Sequence, residues 1–173
     1  MFKKVEVKPD FISAPHVREI SSVSSCVSED FCDYINFWKH NGYWFFNSPA
    51  VMTQLAEANH ISLEGQTLFY YRIYPYQWRA DAGGWMPFSP DEAFRTEVVE
   101  PADSYLCGFD VVTYRAQTSP ECSPLSCNAL ASDFDVNEHC LFTTFDDAKA
   151  AIESGKMEKG EAGPYRIIEV HTL

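Results

Sequence analysis

Four of the six cysteines and one of the five histidines fall in one stretch, Ser104 to Phe145. Cys122 and Cys127 are separated by four residues, and the pair His139-Cys140 begins twelve positions after Cys127. Thiolates and imidazoles converging tetrahedrally are what zinc requires, and four intervening residues is the wide end of the usual ligand spacing. Cys122, Cys127, His139 and Cys140 are therefore the candidate zinc ligands, with Cys107 as a further donor. Against this stands the burial of free cysteine as a small apolar residue, and adjacent His and Cys side chains seldom share one metal. The reading adopted has no cofactor, with zinc as the alternative.

The same stretch offers a nucleophile. Ser126-Cys127-Asn128 precedes a predicted helical turn at residues 128–131, and a thiol at a helix N-terminus is acidified by the positive end of the dipole. His139 is the candidate base, Asp110 or Asn128 the candidate orienting group, and Cys122 an equivalent thiol on composition. Asp110 is a candidate in its own right, because a carboxylate inside an apolar strand acquires a raised pKa. Its ordinary alternative is an ion pair, with Arg72, Arg79 or Arg115. No phosphate-cradling glycine loop, HExxH, EF-hand loop or GxSxG elbow accompanies these residues.

A third set is aromatic. Tyr70, Tyr71, Tyr74, Tyr76 and Trp78 lie beside Arg72 and Arg79. Such a surface can stack bases, but Tyr, Trp and Arg are also the usual anchors of protein interfaces. Charge discriminates between the two. The net charge is −12, and Ser89 to Glu161 holds fifteen Asp and Glu against five Lys and Arg. That field repels phosphate and suits a basic protein partner. Glu97, Glu100 and Asp103 form one acidic cluster, and Asp133, Asp135 and Glu138 a second.

These residues must be positioned by a chain of 173 residues, long enough for one well-buried domain and short for two. There are no repeats, and the acidic, proline-bracketed segment 89–103 is too short to divide it, so residues 1–173 read as a single domain. No run approaches the roughly 18 apolar residues of a membrane helix. The opening MFKKVEVKPDF has two lysines with no apolar run after them, unlike a signal peptide. The expectation is a cytoplasmic protein with reduced cysteines.

The elements follow from pattern. Phe2 to Val7 reads as an edge strand, and the run Ser21 to Ser25 as irregular. Ser28 caps a helix that Asn41-Gly42 stops. Tyr43 to Phe46 reads as a short strand. Ser48-Pro49 opens a helix to Asn59 with Val51, Leu55 and Ala58 on its face. Thr67 to Tyr76 is the strongest strand signal, rich in aromatic and β-branched residues. Trp85 to Phe88 pairs back, a brief helix spans 90–94, and Leu106 to Tyr114 is a strand apolar on both sides. Cys140 to Phe142 is a short strand. Thr144 caps a helix that Gly155 ends, and Tyr165 to His171 closes the chain. The fold expected is α+β: an antiparallel or mixed sheet with three to four helices packed mainly on one face.

The function expected is a small acidic binding protein that engages and inhibits a partner protein at a basic site, in the manner of an immunity protein, an antitoxin or a nucleic-acid mimic. It would bind neither nucleic acid nor membrane. The two acidic clusters would steer the encounter, and Tyr74 and Trp78 would anchor it. The alternatives are a cysteine-dependent enzyme using Cys127 or Cys122 with His139, and a binding domain with a structural zinc.

Overall fold

The computed structural model describes residues 1–24, 45–88, 98–114 and 120–173. The helix expected from Ser28, the first half of the strand 43–46, the brief helix 90–94, Glu97 and Arg115 lie outside these. The described strands are β1 (Phe2–Lys3), β2 (Glu6–Val7), β3 (Glu19–Ile20), β4 (Thr67–Arg79), β5 (Gly84–Pro87), β6 (Tyr105–Thr113) and β7 (Tyr165–Thr172). The described α-helices are α1 (Pro49–Asn59), α2 (Pro124–Cys127) and α3 (Phe145–Glu153).

The main sheet runs β1-β4-β7-β6, with β5 pairing the far end of β4, and every pairing is antiparallel. β2 and β3 make a separate two-stranded ribbon. β4 dominates because its thirteen residues, TLFYYRIYPYQWR, are mostly aromatic or β-branched. Its register with β7 shifts between Ile73 and Gln77, and that of β6 with β7 between Leu106 and Gly108. Such bulges bend a strand and raise its twist, and here the sheet curls into a half-barrel.

This corrects the expected α+β architecture. The described residues are mostly β, and among them the α-helices are three short ones of eleven, four and nine residues. Nor do they share a face. Val111 and Val112 are neighbours on β6 and point to opposite sides. Val111 and Ile167 pack with Ala148, Ala151 and Ile152 of α3, whereas Val112, Tyr114 and Ile168 pack with Met52 and Ala56 of α1. Two apolar faces on β6 and β7 require a cover on each side. The sheet is antiparallel throughout, so no long crossover helices are needed.

Local signals hold at the helix starts. Ser48 Oγ accepts from the Val51 N–H at 3.4 Å, and Pro49 takes the first helical position. Thr144 Oγ1 accepts from the Asp147 N–H at 3.1 Å. The buried face of α1 differs from the expected one: Met52 and Ala56 are inside, and Val51 is exposed. Phe45 and Phe46 are buried without being in a strand. Strict alternation along β6 would put Cys107 on the side of Phe109. The bulge places it with Phe69, Leu141 and Val170 rather than beside Phe109. Gly108 permits this at φ +144°, where an added Cβ would sit 2.6 Å from the Phe142 carbonyl oxygen and 2.9 Å from Leu141 Cβ.

Candidate functional site

The cysteine loop and Asp110 meet at the middle of β6. Asp110 is fully buried. Its Oδ2 accepts from Ser22 Oγ at 2.6 Å and from the Val23 N–H at 2.9 Å, and its Oδ1 accepts from Ser123 Oγ at 2.7 Å. The arginines expected as partners are engaged elsewhere among the described residues: Arg72 pairs with Glu100 and Glu169, and Arg79 with Asp81. The nearby cation is Lys3, itself buried, whose Nζ donates to the carbonyls of Ser22 and Ser24. Burial pushes the Asp110 carboxyl above its ordinary value, opposed by the Ser22, Ser123 and Val23 donors and by Lys3.

The thiols sit around this centre. Cys127 Sγ lies 3.3 Å from Ser24 Oγ, and Cys122 Sγ is 3.6 Å from Asn128 Oδ1. Cys127 is the last residue of the four-residue α2, not the first, so the dipole argument for an acidified thiol does not apply to it. Burial pushes the Cys140 thiol up to about 12, helped by the charges of Asp110 and Cys127. His139 turns to β3, with Nδ1 2.6 Å from Glu19 Oε1, and among the described residues no hydrogen bond joins it to a thiol. The Glu138 carbonyl takes the Arg18 and Glu19 N–H groups, and the His139 carbonyl takes the Ser21 N–H, which fixes this edge. Cys107 and Cys140 are free thiols, and among the described residues no three His, Cys, Asp or Glu side chains are grouped to hold a metal. Cys122, Cys127 and Asn128 do share a shallow groove with Val7, Phe11 and Ile20.

The second candidate lies toward the other edge of the sheet. A groove of about 400 Å³ runs along the outer edge of β4, walled by Phe45, Phe46, Pro49 and Met52 on one side and by Val98 and Pro101 on the other. That volume is within the range of roughly 300–1,000 Å³ typical of ligand pockets. Its rim is acidic. Arg72 Nη1 donates to both Glu169 oxygens at 3.1 and 3.2 Å, and Arg72 Nη2 also reaches Glu100. One guanidinium thus faces two carboxylates, with exposed Asp103 two residues beyond Pro101. Around the rim the surface is apolar. Val99 is 88% exposed, Tyr105 69%, Leu173 45% and Leu106 41%.

Set against known protein families, curated proteins and solved structures, the chain matches no family model, no curated protein and no solved structure.

The remaining candidates are placed as follows. Asp133 and Asp135 are exposed around Phe134, and Glu138 pairs with Arg18 at 3.3 Å, away from the β4 groove. Tyr74 is half-buried, edge-on to Phe145 at 4.8 Å and to Trp85 at 5.7 Å, and Trp78 packs on Trp85. Both rings contribute to the α3-side core. Sequence reasoning missed Ser22, Ser123 and Lys3. The one signal was a run of hydroxyls around apolar Val23, which marks a segment that is buried and hydrogen-bonded rather than merely irregular.

Proposed function

We propose that this chain is a protein-binding module that engages a basic segment of a partner and inhibits it by occupancy. One observation carries the reading: the exposed apolar residues Val98 and Leu173 line the β4 groove, exposed Val99 follows Val98 in the chain, and exposed Tyr105 and Leu106 pair with the end of β7 that leads to Leu173. Large apolar side chains left in water beside a groove mark an interaction site, and charge around them selects the partner and speeds the encounter. Glu100 and Asp103 are the steering charges of this reading, with Glu97 adjacent in sequence. Asp133, Asp135 and Glu138 would add only to the long-range field. Among the described residues no helix is long and apolar enough to cross a membrane, and we place the protein in the cytoplasm.

The thiol-enzyme alternative receives less support, because His139 is held by Glu19 and Cys127 ends rather than begins its helix. The test is capture from the source cell's lysate with the wild-type chain and with a Val99→Glu/Tyr105→Glu variant in parallel. A polypeptide held at fixed stoichiometry by the first and lost by the second, with equal melting temperatures, supports the reading. The same set on both, or none on either, contradicts it.

A further inference from the structure

The outer edge of β4 carries two residues whose backbone groups face out of the sheet. Phe69 exchanges hydrogen bonds with Met1 on this edge, and the Pro75 carbonyl accepts from the Phe88 N–H at 2.9 Å. In an antiparallel strand the N–H and C=O of alternate residues point the same way. Tyr71 and Ile73, between these two, therefore also point outward. The far side of the sheet agrees. Phe109 exchanges both its bonds with Phe142, so Gly108 and Asp110 turn toward β7, and their partners Val170 and Ile168 turn away from β4. Val170 and Ile168 are the residues opposite Tyr71 and Ile73. Among the described residues no backbone group takes the N–H and C=O of Tyr71 or Ile73.

An open edge is ordinarily a liability that proteins cover. Among the described residues it is flanked rather than covered: β1 occupies Thr67 and Leu68, and β5 occupies Tyr76 to Arg79. Among the described residues, the run left between Phe69 and Pro75, Tyr70 to Tyr74, measures about 14 Å at the rise of a strand. It opens directly onto the groove walled by Phe45, Phe46, Pro49 and Met52.

We infer that this edge is a strand-addition site, taking an extended peptide segment of about five residues in which apolar and basic side chains alternate. The inference deepens the binding reading above and rests on it. The backbone of the segment completes the ladder at Tyr71 and Ile73. Alternate side chains then point to opposite faces of the sheet. One set enters the apolar groove on the α1 side. The other meets the face of Arg72, where Glu100 and Glu169 surround one guanidinium and the His171 ring, whose Nε2 lies 2.8 Å from Glu169. Charge complementarity thus specifies a basic segment, consistent with a chain of net charge −12. The flanking β1 and β5 specify a short flexible one, because they block a long rigid edge such as β4 of a second copy at both ends.

The probe is a blocked heptapeptide alternating lysine with valine or leucine, titrated into the isotopically labelled chain. Two derivatives carry backbone N-methyl groups, one on the lysines and one on the apolar residues. Strand addition predicts at least tenfold slower exchange of the Tyr71 and Ile73 amides with peptide bound. It also predicts at least tenfold weaker binding of one methylated derivative and not the other. An Ile73→Pro variant removes one outward N–H without touching the β7 ladder and loses the same affinity; if it does not fold, the methylated peptides decide. Binding with both amides still exchanging freely, or equal affinity of all three peptides, overturns strand addition and leaves the binding reading intact. No binding of any peptide also overturns it, as does concentration-dependent dimerisation that protects these amides. Failure of the binding reading itself is read separately, in the capture experiment, which uses no peptide.

Discussion

The Ser123 hydroxyl donates to Asp110 Oδ1 at 2.7 Å, and this bond ties the cysteine loop to the centre of β6. With the Ser22 hydroxyl and the Val23 N–H on Oδ2, one carboxylate fastens two chain segments that approach it from sequence separations of 88 and 13 residues. Ser123→Ala removes one bond to a buried carboxylate and costs about 1.5–3 kcal/mol. Asp110→Ala strands two hydroxyls and an N–H in the interior and costs on the order of 3–5 kcal/mol. Urea unfolding of the two variants measures both. A loss below 1 kcal/mol for Asp110→Ala, on the scale of a surface substitution, would show that the carboxylate does not organise these segments.

The same group makes stability depend on pH. Burial holds the folded-state carboxyl above its ordinary value, so in that window the folded chain keeps a proton that the unfolded chain has lost. The unfolded carboxyl ionises near pH ~3.9. The folded state binds more protons, and stability from this group is full below about pH 4 and is lost as pH rises through the folded value. Asp110→Asn lacks the titration. The wild-type stability minus that of Asp110→Asn therefore falls as pH is raised from 4, measured by thermal melts of both proteins across the range. A difference that rises with pH would mean that the Ser22, Ser123, Val23 and Lys3 interactions outweigh burial.

Gly108→Ala is expected to be among the most damaging single changes in the sheet. The residue sits at φ +144°, and the new methyl would meet backbone and a packed side chain at 2.6 and 2.9 Å. Strain and overpacking together cost about 2–4 kcal/mol. Denaturant titration gives the number, and a melting temperature equal to wild type would remove the claim that the bulge at Leu106/Gly108 depends on glycine.

Thiol labelling separates structural from accessible cysteines. Cys140 is fully buried with its thiol raised to about 12, and Cys107 is buried with its thiol raised by desolvation. Cys127 is half-buried and lines a surface groove. Alkylation of the native chain near neutral pH should modify Cys127 roughly tenfold or more faster than Cys140, as read by peptide mass mapping. Equal rates for the two would contradict the packing of the loop.

Where a signal was local, the sequence disclosed it. β4 followed from its aromatic and β-branched run, extended only from Tyr76 to Arg79 by the pairing with β5. Ser48-Pro49 and Thr144 placed two helix starts. The covered face of α1 was not legible, because Met52 and Ala56 face inward only once Tyr114 and Ile168 have been brought beneath them. The distribution of helices over both sheet faces was hidden for the same reason: alternation showed that β6 was apolar on both sides, but not which helix would cover which. The side on which Cys107 packs departs from strict alternation through a bulge that Gly108 makes possible. At the candidate site, His139 was read with the thiols because it is near them in sequence, but its ring is bound to Glu19, 120 positions away. The open edge at Tyr71 and Ile73 is a property of strand order, which residue types do not carry.

The most direct measurement of the central claim is hydrogen–deuterium exchange of the chain alone and with its captured partner. Protection should concentrate on peptides covering residues 67–76 and 98–106, the β4 edge and its acidic, apolar rim, and should weaken in 0.5 M salt with the complex itself. Protection confined to residues 132–138, or around Cys122 and Cys127, would place the binding surface elsewhere and contradict the account.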